Sequence, residues 1–398
     1  MTIRIRKVTF LLQFMLISIL GFAQSKQKDL NTQPLSEKIE FFYLNHEPLI
    51  AKQIIREIAD LNALDNYFYF FVALAKEHPK QLIEWFSEAQ VSIEKHPKLI
   101  HALHFGGLKG EAIRLAQKAN WSTNKILSLG SDIPTFLLMP VAFPGYIPCM
   151  CSHFVATGDV RYVKRIIDAL ETSPILIKDP NELKELKEEA KQKLTSFVFK
   201  HDKVYRLCLE EAKTRKGEVA AFLNKLLDEL HQSNKNNFKQ QQDGMFNGFI
   251  FVTEDSYFEE QWEGLPIMST PVCKQTEAIP YPRENKMIRV FTMFNGMELD
   301  KDLNGYVTYD IEIIDPKGNK MSEFHNMHGI HRKVPSRFLL QKADQSVTFE
   351  FCPNDKDSKK GKQKIVFSGT YTINAHLKDH VSRKDLNLST TLKVQPEK

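Results

Sequence analysis

His231-Gln-Ser-Asn-Lys-Asn-Asn-Phe-Lys-Gln-Gln-Gln-Asp-Gly244 is polar, amide-rich and almost empty of apolar residues. Upstream of it, apolar residues recur at spacings of three and four, the signature of amphipathic helices. Downstream they fall into short blocks separated by turn residues, the signature of strands. The stretch is therefore the junction between two grammars, with its first residues compatible with the end of a helix. This reading predicts an all-α, stacked and repeat-like helical domain over 36–231, a junction over 232–247 and an all-β domain over 248–398. A chain of 398 residues is long enough for two such cores.

The N-terminus carries an address. Arg4, Arg6 and Lys7 precede the apolar run Val8 to Phe22, and Gly21-Phe22-Ala23 supplies small residues before Gln24. That is the layout of a secretory signal peptide over 1–23. The run is short for a bilayer, which needs about 20 apolar residues, and no later segment reads as a membrane span. The signal holds three positive charges and no acid, so the rest of the chain keeps +2 of the net +5. A balance this small does not suggest nucleic acid as a partner. The run Lys356 to Lys364 is basic but lacks interleaved aromatics and reads as a solvated loop. The expected location is periplasmic or secreted, with residues 24–35 as a flexible leader.

Within the helical part, Ile50, Ile54, Ile58 and Leu61 form one stripe; Leu64, Tyr67, Phe68, Phe71 and Leu74 a second; Leu82, Trp85, Phe86 and Ala89 a third. Pro48, Pro79 and Pro97 each open an apolar pair, and proline costs little in a first helical turn. Ser131 to Cys151 contains four prolines and reads as a long loop. Such a loop is either a binding element or a packed connector. Gly158 ends one helix and Asp159 caps the next.

In the β part, Ser256-Tyr-Phe-Glu259 matches a capping box ahead of a short helix near 256–262. Ile288–Phe294, Tyr306–Ile314, Val347–Phe351, Gly369–Ala375 and Leu386–Val394 read as strands. Asn304-Gly305 and Asp315-Pro-Lys-Gly318 read as turns. Regular short strands argue for an antiparallel sandwich. The ending Phe367-Ser-Gly-Thr-Tyr-Thr-Ile-Asn-Ala-His-Leu-Lys-Asp379, followed by an alternating strand, resembles the closing hairpin of immunoglobulin-like extracytoplasmic modules. The whole chain resembles Bacteroidetes-like bacterial secreted proteins of unknown function, with an N-terminal helical domain and a C-terminal immunoglobulin-like β-sandwich. The resemblance implies a fold and no active residues, and the Cys…Trp…Cys core of antibody domains is missing here.

Three residue sets bear on chemistry. Asp300, Asp302 and Asn304, followed by Gly305, match the first half of a calcium loop, but the twelfth position is Ile311 where a glutamate should stand. The other reading is a hairpin turn. His325, His328 and His331 recur every third residue, a zinc-ligand composition. On a regular strand that spacing alternates faces, so only irregular backbone would gather them. Among the five cysteines, Cys273 and Cys352 are the expected disulfide in an oxidising compartment, while Cys149, Cys151 and Cys208 fall on helices. There is no Gly-x-Ser-x-Gly, phosphate loop or His-Glu-x-x-His. The expectation is a non-enzymatic module for a protein or glycan partner, with no cofactor. The alternative is a hydrolase with its site between the two parts, built from 131–153 and His325–His331.

Overall fold

The computed structural model describes residues 33–60, 67–130, 135–142, 145–236, 242–243, 245–269, 272–281, 287–350 and 368–396. The signal segment 1–23, most of the leader, Cys352 and the basic run 356–364 lie outside the described residues. The leader's last residues are not slack. Gln33 is buried and donates to the Leu265 carbonyl at 3.2 Å, and a helix starts at Leu35.

Helices fill the N-terminal part. Pro48–Asp60, Pro79–Glu88 and Pro97–Phe105 each begin on the proline, as the sequence predicts. Gly158, at φ 70°, closes Tyr146–Thr157 in a left-handed cap, a conformation that glycine adopts without Cβ strain. The Asp159 carboxylate then accepts Arg161 N–H at 2.9 Å to start Val160–Leu170.

Two expectations need correction. Phe68–Glu77 is not an amphipathic stripe, because every residue from Phe70 to Ala75 is buried. A helix that is apolar all round must be enclosed, and this one packs against both Tyr146–Thr157 and Pro97–Phe105. Neighbouring helices do pair, but this contact reaches across intervening elements and draws the helices around one shared core. Ser131–Cys151, read as a loop, holds a 3-10 turn over Phe136–Leu138 and the start of the helix Tyr146–Thr157. Pro148 lies in that helix's first turn, where no intrahelical bond is lost.

The final helix, Gly217–Asn236, runs beyond the boundary placed at 231. Gln232 and Ser233 face solvent, whereas Asn234 is buried and donates to the Met245 carbonyl at 2.9 Å. Asn247 Nδ2 reaches back to the Asn234 carbonyl at 3.3 Å. This amide clasp ties the end of the helix to the first strand pair.

The strands are β1 (Gln242–Asp243), β2 (Phe246–Thr253), β3 (Ala278–Tyr281), β4 (Met287–Asn295) and β5 (Asn304–Ile314), followed by β6 (Lys320–Lys333), β7 (Gln341–Lys342), β8 (Val347–Glu350), β9 (Gly369–Asp379) and β10 (Lys384–Pro396). They form two five-stranded sheets, β1-β2-β4-β7 with β8 also on β4, and β3-β10-β9-β5-β6. Pairing is antiparallel except for β3 on β10. Ile250, Val252, Val290 and Phe294 from the first sheet share a core with Val307, Tyr309, Ile311, Ile373 and Leu377 from the second.

The other side of the first sheet is also dry. Phe251, Phe291 and Met293 are covered by Phe258 and Trp262 of the helix Phe258–Gly264. That helix begins after Tyr257 without a side-chain cap, so the predicted capping box at Ser256 does not form. Asp255 Oδ1 instead accepts Tyr257 N–H at 2.8 Å. Among the described residues, no helix covers the outer face of the second sheet.

The two parts are fused at a seam. Leu303 and Phe338 of the β part belong to the helical core, a burial worth roughly 1.5–3 kcal/mol for each side chain. Asp202 N–H donates to the Pro335 carbonyl at 2.8 Å, and Ser336 Oγ to the Phe199 carbonyl at 2.6 Å. Arg337 Nε donates to Asp202 Oδ1 at 2.6 Å and Nη2 to Glu298 Oε1 at 2.7 Å. Arg206 Nε reaches Asp202 Oδ2 at 2.6 Å and its Nη2 the Leu299 carbonyl at 2.6 Å.

Candidate functional site

The open face of β10-β9-β5-β6 follows from strand alternation. Along β5, Val307, Tyr309, Ile311 and Ile313 point into the core, which leaves Asp310 and Glu312 on the outside. The register sets Glu312 beside Asn374 and Asn374 beside Ser389, and sets Asp310 beside His376 and His376 beside Asn387. These residues, with Glu323 and His325, line a groove of about 640 Å³. Clefts for small ligands span about 300–1,000 Å³.

The groove residues are tied into rows across the strands. Ser389 Oγ donates to Asn374 Oδ1 at 2.8 Å, and Asn374 Nδ2 donates to Glu312 Oε1 at 2.9 Å. His376 Nδ1 and Asn387 Oδ1 are 2.6 Å apart, and His376 Nε2 lies 3.6 Å from Asp385. His325 sits between two carboxylates, 3.6 Å from Asp310 and 3.4 Å from Glu323. Lys320 bonds Glu323 at 2.7 Å, which holds that carboxyl below its usual range.

The histidines correct the alternation argument. His331 pairs with Tyr306 and His328 with Thr308, while His325 meets Asp310, so all three stand on the open face. Bulges in the β5–β6 ladder make this possible, because each inserts an extra residue in β6 and restores the phase. Gly329 sits at the first, where a Cβ would come within 2.9 Å of the Val307 carbonyl oxygen. Asn326, at φ 52°, marks the second. The three nevertheless occupy successive rows, roughly 7 Å apart along the strand. Among the described residues, no group of three or more His, Cys, Asp or Glu is placed to hold a metal ion. His331 instead stacks on Tyr306, with ring centroids 4.7 Å apart, and His380 covers the opposite side at 4.3 Å.

Asp300 turns its carboxylate onto its own loop. Oδ1 accepts Asp302 N–H and Asn304 N–H, each at 2.8 Å, and Oδ2 accepts Asn304 Nδ2 at 3.0 Å. These bonds, led by Asn304, hold the Asp300 carboxyl below its usual range. Asp302 is exposed and Asn304 begins β5, so the turn is Asp300–Leu303 and not Asn304-Gly305.

Cys273 is half-buried and packs against the cluster that holds Phe251, Phe258 and Trp262, and its expected partner Cys352 is outside the described residues. Cys149, Cys151 and Cys208 are free thiols, each pushed up to about 12 by burial.

The segments required by the hydrolase alternative do not converge. Phe136 and His153 stack inside the helical part at 4.6 Å, with Tyr162 at 4.7 Å on His153, whereas His325 faces solvent. A cavity where the two parts meet is about 60 Å³, lined by described residues including Leu44, Trp262, Val334 and Leu340, room for a water or two. In the groove, Ser389 gives its proton to an amide oxygen and not to an imidazole, so no nucleophile–base pair forms there.

Sequence reasoning found His325 but missed Asp310, Glu312, Glu323, Asn374, His376, Asn387 and Ser389. Their signal was present as polar residues at every second position of β9 and β10, yet a solvated strand face looks the same until register joins it to its neighbours. No protein-family model matches the chain, and no curated protein matches it. Among the described residues no helix is long and apolar enough to cross a membrane.

Proposed function

We propose that this chain is a non-enzymatic binding protein exported from the cytoplasm, with the open face of β10-β9-β5-β6 as its ligand-binding surface. One observation carries the reading: among the described residues, the outer face of β10-β9-β5-β6 leaves a polar groove of about 640 Å³ open to solvent, lined by side chains bonded to one another across the strands. A face used only for solubility has no need of the cross-strand rows that fix Ser389, Asn374 and Glu312 in place. Ordering those side chains costs conformational entropy, and a prearranged set of donors and acceptors lowers the cost of binding.

The signal at 1–23 supports a periplasmic or secreted location. Two antiparallel-dominated sheets around one core support an immunoglobulin-like sandwich and the resemblance to bacterial secreted proteins of helical-plus-sandwich build. A partner of protein or glycan nature fits this role, and a net charge near neutrality after signal removal does not favour nucleic acid.

The test is capture. The protein, immobilised and exposed to envelope polysaccharide and envelope protein fractions, should retain a partner that an Asp310→Ala/His376→Ala variant does not. Retention that is identical for the variant, or turnover of the captured material into smaller products, would refute the reading.

A further inference from the structure

We propose that the groove takes an uncharged, hydroxyl-rich chain, an oligosaccharide, laid across the strands. This inference rests on the binding-face reading above and adds the class and direction of the ligand.

The first support is the hydrogen-bond inventory. The lining offers the carboxylates of Asp310, Glu312 and Glu323, the amides of Asn374 and Asn387, the Ser389 hydroxyl and the imidazoles of His325 and His376. Carboxylates accept only, and side-chain amides both donate and accept. The set is richer in acceptors than in donors, and each sugar hydroxyl supplies the missing donor. Asn387 uses its Oδ1 on His376, and its Nδ2 makes no hydrogen bond to another described residue.

The second support is charge. Three carboxylates face the groove and Asp385 lies beside it, against the cations Lys320, paired with Glu312 and Glu323, and exposed Lys378 on the same face. The surface is negative when the imidazoles are neutral, which opposes an anionic polymer.

The third is the absence of what a peptide needs. On β10, β9 and β5 the polar residues stand on a sheet face whose backbone groups are already paired in ladders, so a peptide could add as a strand only along the outer edge of β6 and not across the groove. Ile311, Ala375 and Leu388 reach the lining, but the side chains of all three belong to the core. No aromatic or aliphatic anchor pocket of the kind that dominates peptide affinity is formed by the lining residues.

The direction follows from the rows. Ser389, Asn374 and Glu312 run perpendicular to the strands, and Asn387, His376 and Asp310 run beside them. Strands lie about 4.8 Å apart, close to the advance per residue of an extended β-linked glucan. A chain crossing from β10 to β6 therefore meets one row position per sugar. A chain running along a strand would meet same-face side chains only every 7 Å or so.

Isothermal titration with cellohexaose, laminarihexaose and mannohexaose as neutral probes, and a hyaluronan hexasaccharide and a mixed-sequence decapeptide library as contrasts, tests the inference. The expected result is binding of a neutral hexasaccharide, weakened at least tenfold by Asn374→Ala/Asn387→Ala with the melting temperature unchanged. Lys225→Ala, on the exposed face of the last helix, should bind like the parent. Binding of hyaluronan or peptide alone, lost in the double variant, overturns the ligand class and leaves the binding face standing. Neutral-sugar binding that survives the double variant overturns the placement in this groove. No binding by any probe overturns both.

Discussion

The seam around Arg337 and the groove around His376 are both clusters of charged and polar side chains, and their surroundings give them opposite uses. At the seam, Asp202 is fully buried and the Arg337 side chain is 5% exposed. Burial works against the guanidinium's charge, yet Asp202 and Glu298 outweigh it and hold the Arg337 pKa above the ordinary arginine value. Both Asp202 oxygens are engaged, and Asp202 sits in the first turn of its helix, where negative charge is favoured. Every charge of this cluster is paired within it. In the groove, the His325 and His376 side chains are 62% and 49% exposed. Their contacts to carboxylates are long, and partners such as Asn387 keep capacity in reserve. A closed cluster joins two parts of a chain, whereas an open one recognises something outside it.

The contrast can be broken at the seam first. Arg337→Met takes its cation from Glu298 and leaves buried Asp202 with Arg206 alone, and should cost about 3 kcal/mol, the low end for breaking a buried pair, read as a lower urea midpoint with a single transition. A cost below about 1 kcal/mol would show that the seam does not bind the parts together.

Of similar size is a pH effect inside the helical part. His153 is buried among Phe136, Tyr69 and Tyr162, and burial pushes its pKa down to about 4. An unfolded histidine titrates near 6.5, so between those values the unfolded chain binds the extra proton. Stability from His153 is therefore complete above about pH 6.5 and is lost as pH falls toward 4, by about 3 kcal/mol in all. His153→Phe should flatten that slope in denaturation curves at pH 7 and 4.5. An unchanged slope would place the titration elsewhere.

Smaller again, Asp300→Ala removes the acceptor for its loop and should cost about 1 kcal/mol. Calcium or chelator should leave the melting temperature of the parent unmoved, since that carboxylate is occupied by its own backbone. Smallest in stability is the groove itself. Asn374→Ala/Asn387→Ala should change unfolding by less than about 0.5 kcal/mol, and a larger cost would make the rows structural and collapse the comparison with the seam.

The sequence was most legible where a local rule had no competitor. Pro48, Pro79 and Pro97 start helices because a first-turn proline sacrifices no bond, and Gly158 and Asp159 separate two helices by backbone freedom and capping. It was least legible where register decides. The histidine spacing of three was read correctly for a regular strand, and the bulges at Gly329 and Asn326 reversed the outcome. Phe70–Ala75 looked like part of one stripe because periodicity within a helix does not reveal how many neighbours will enclose it.

What the amino-acid order determined alone is the change from a period near 3.6 to a period of two across 231–244, and with it a helical part followed by a β part. Those periods are properties of the local backbone and can be counted along the chain. Which sheet face stays open, and which polar residues meet on it, was decided only by tertiary structure. Ser389, Asn374 and Glu312 are far apart in sequence, and only strand pairing brings them to one surface.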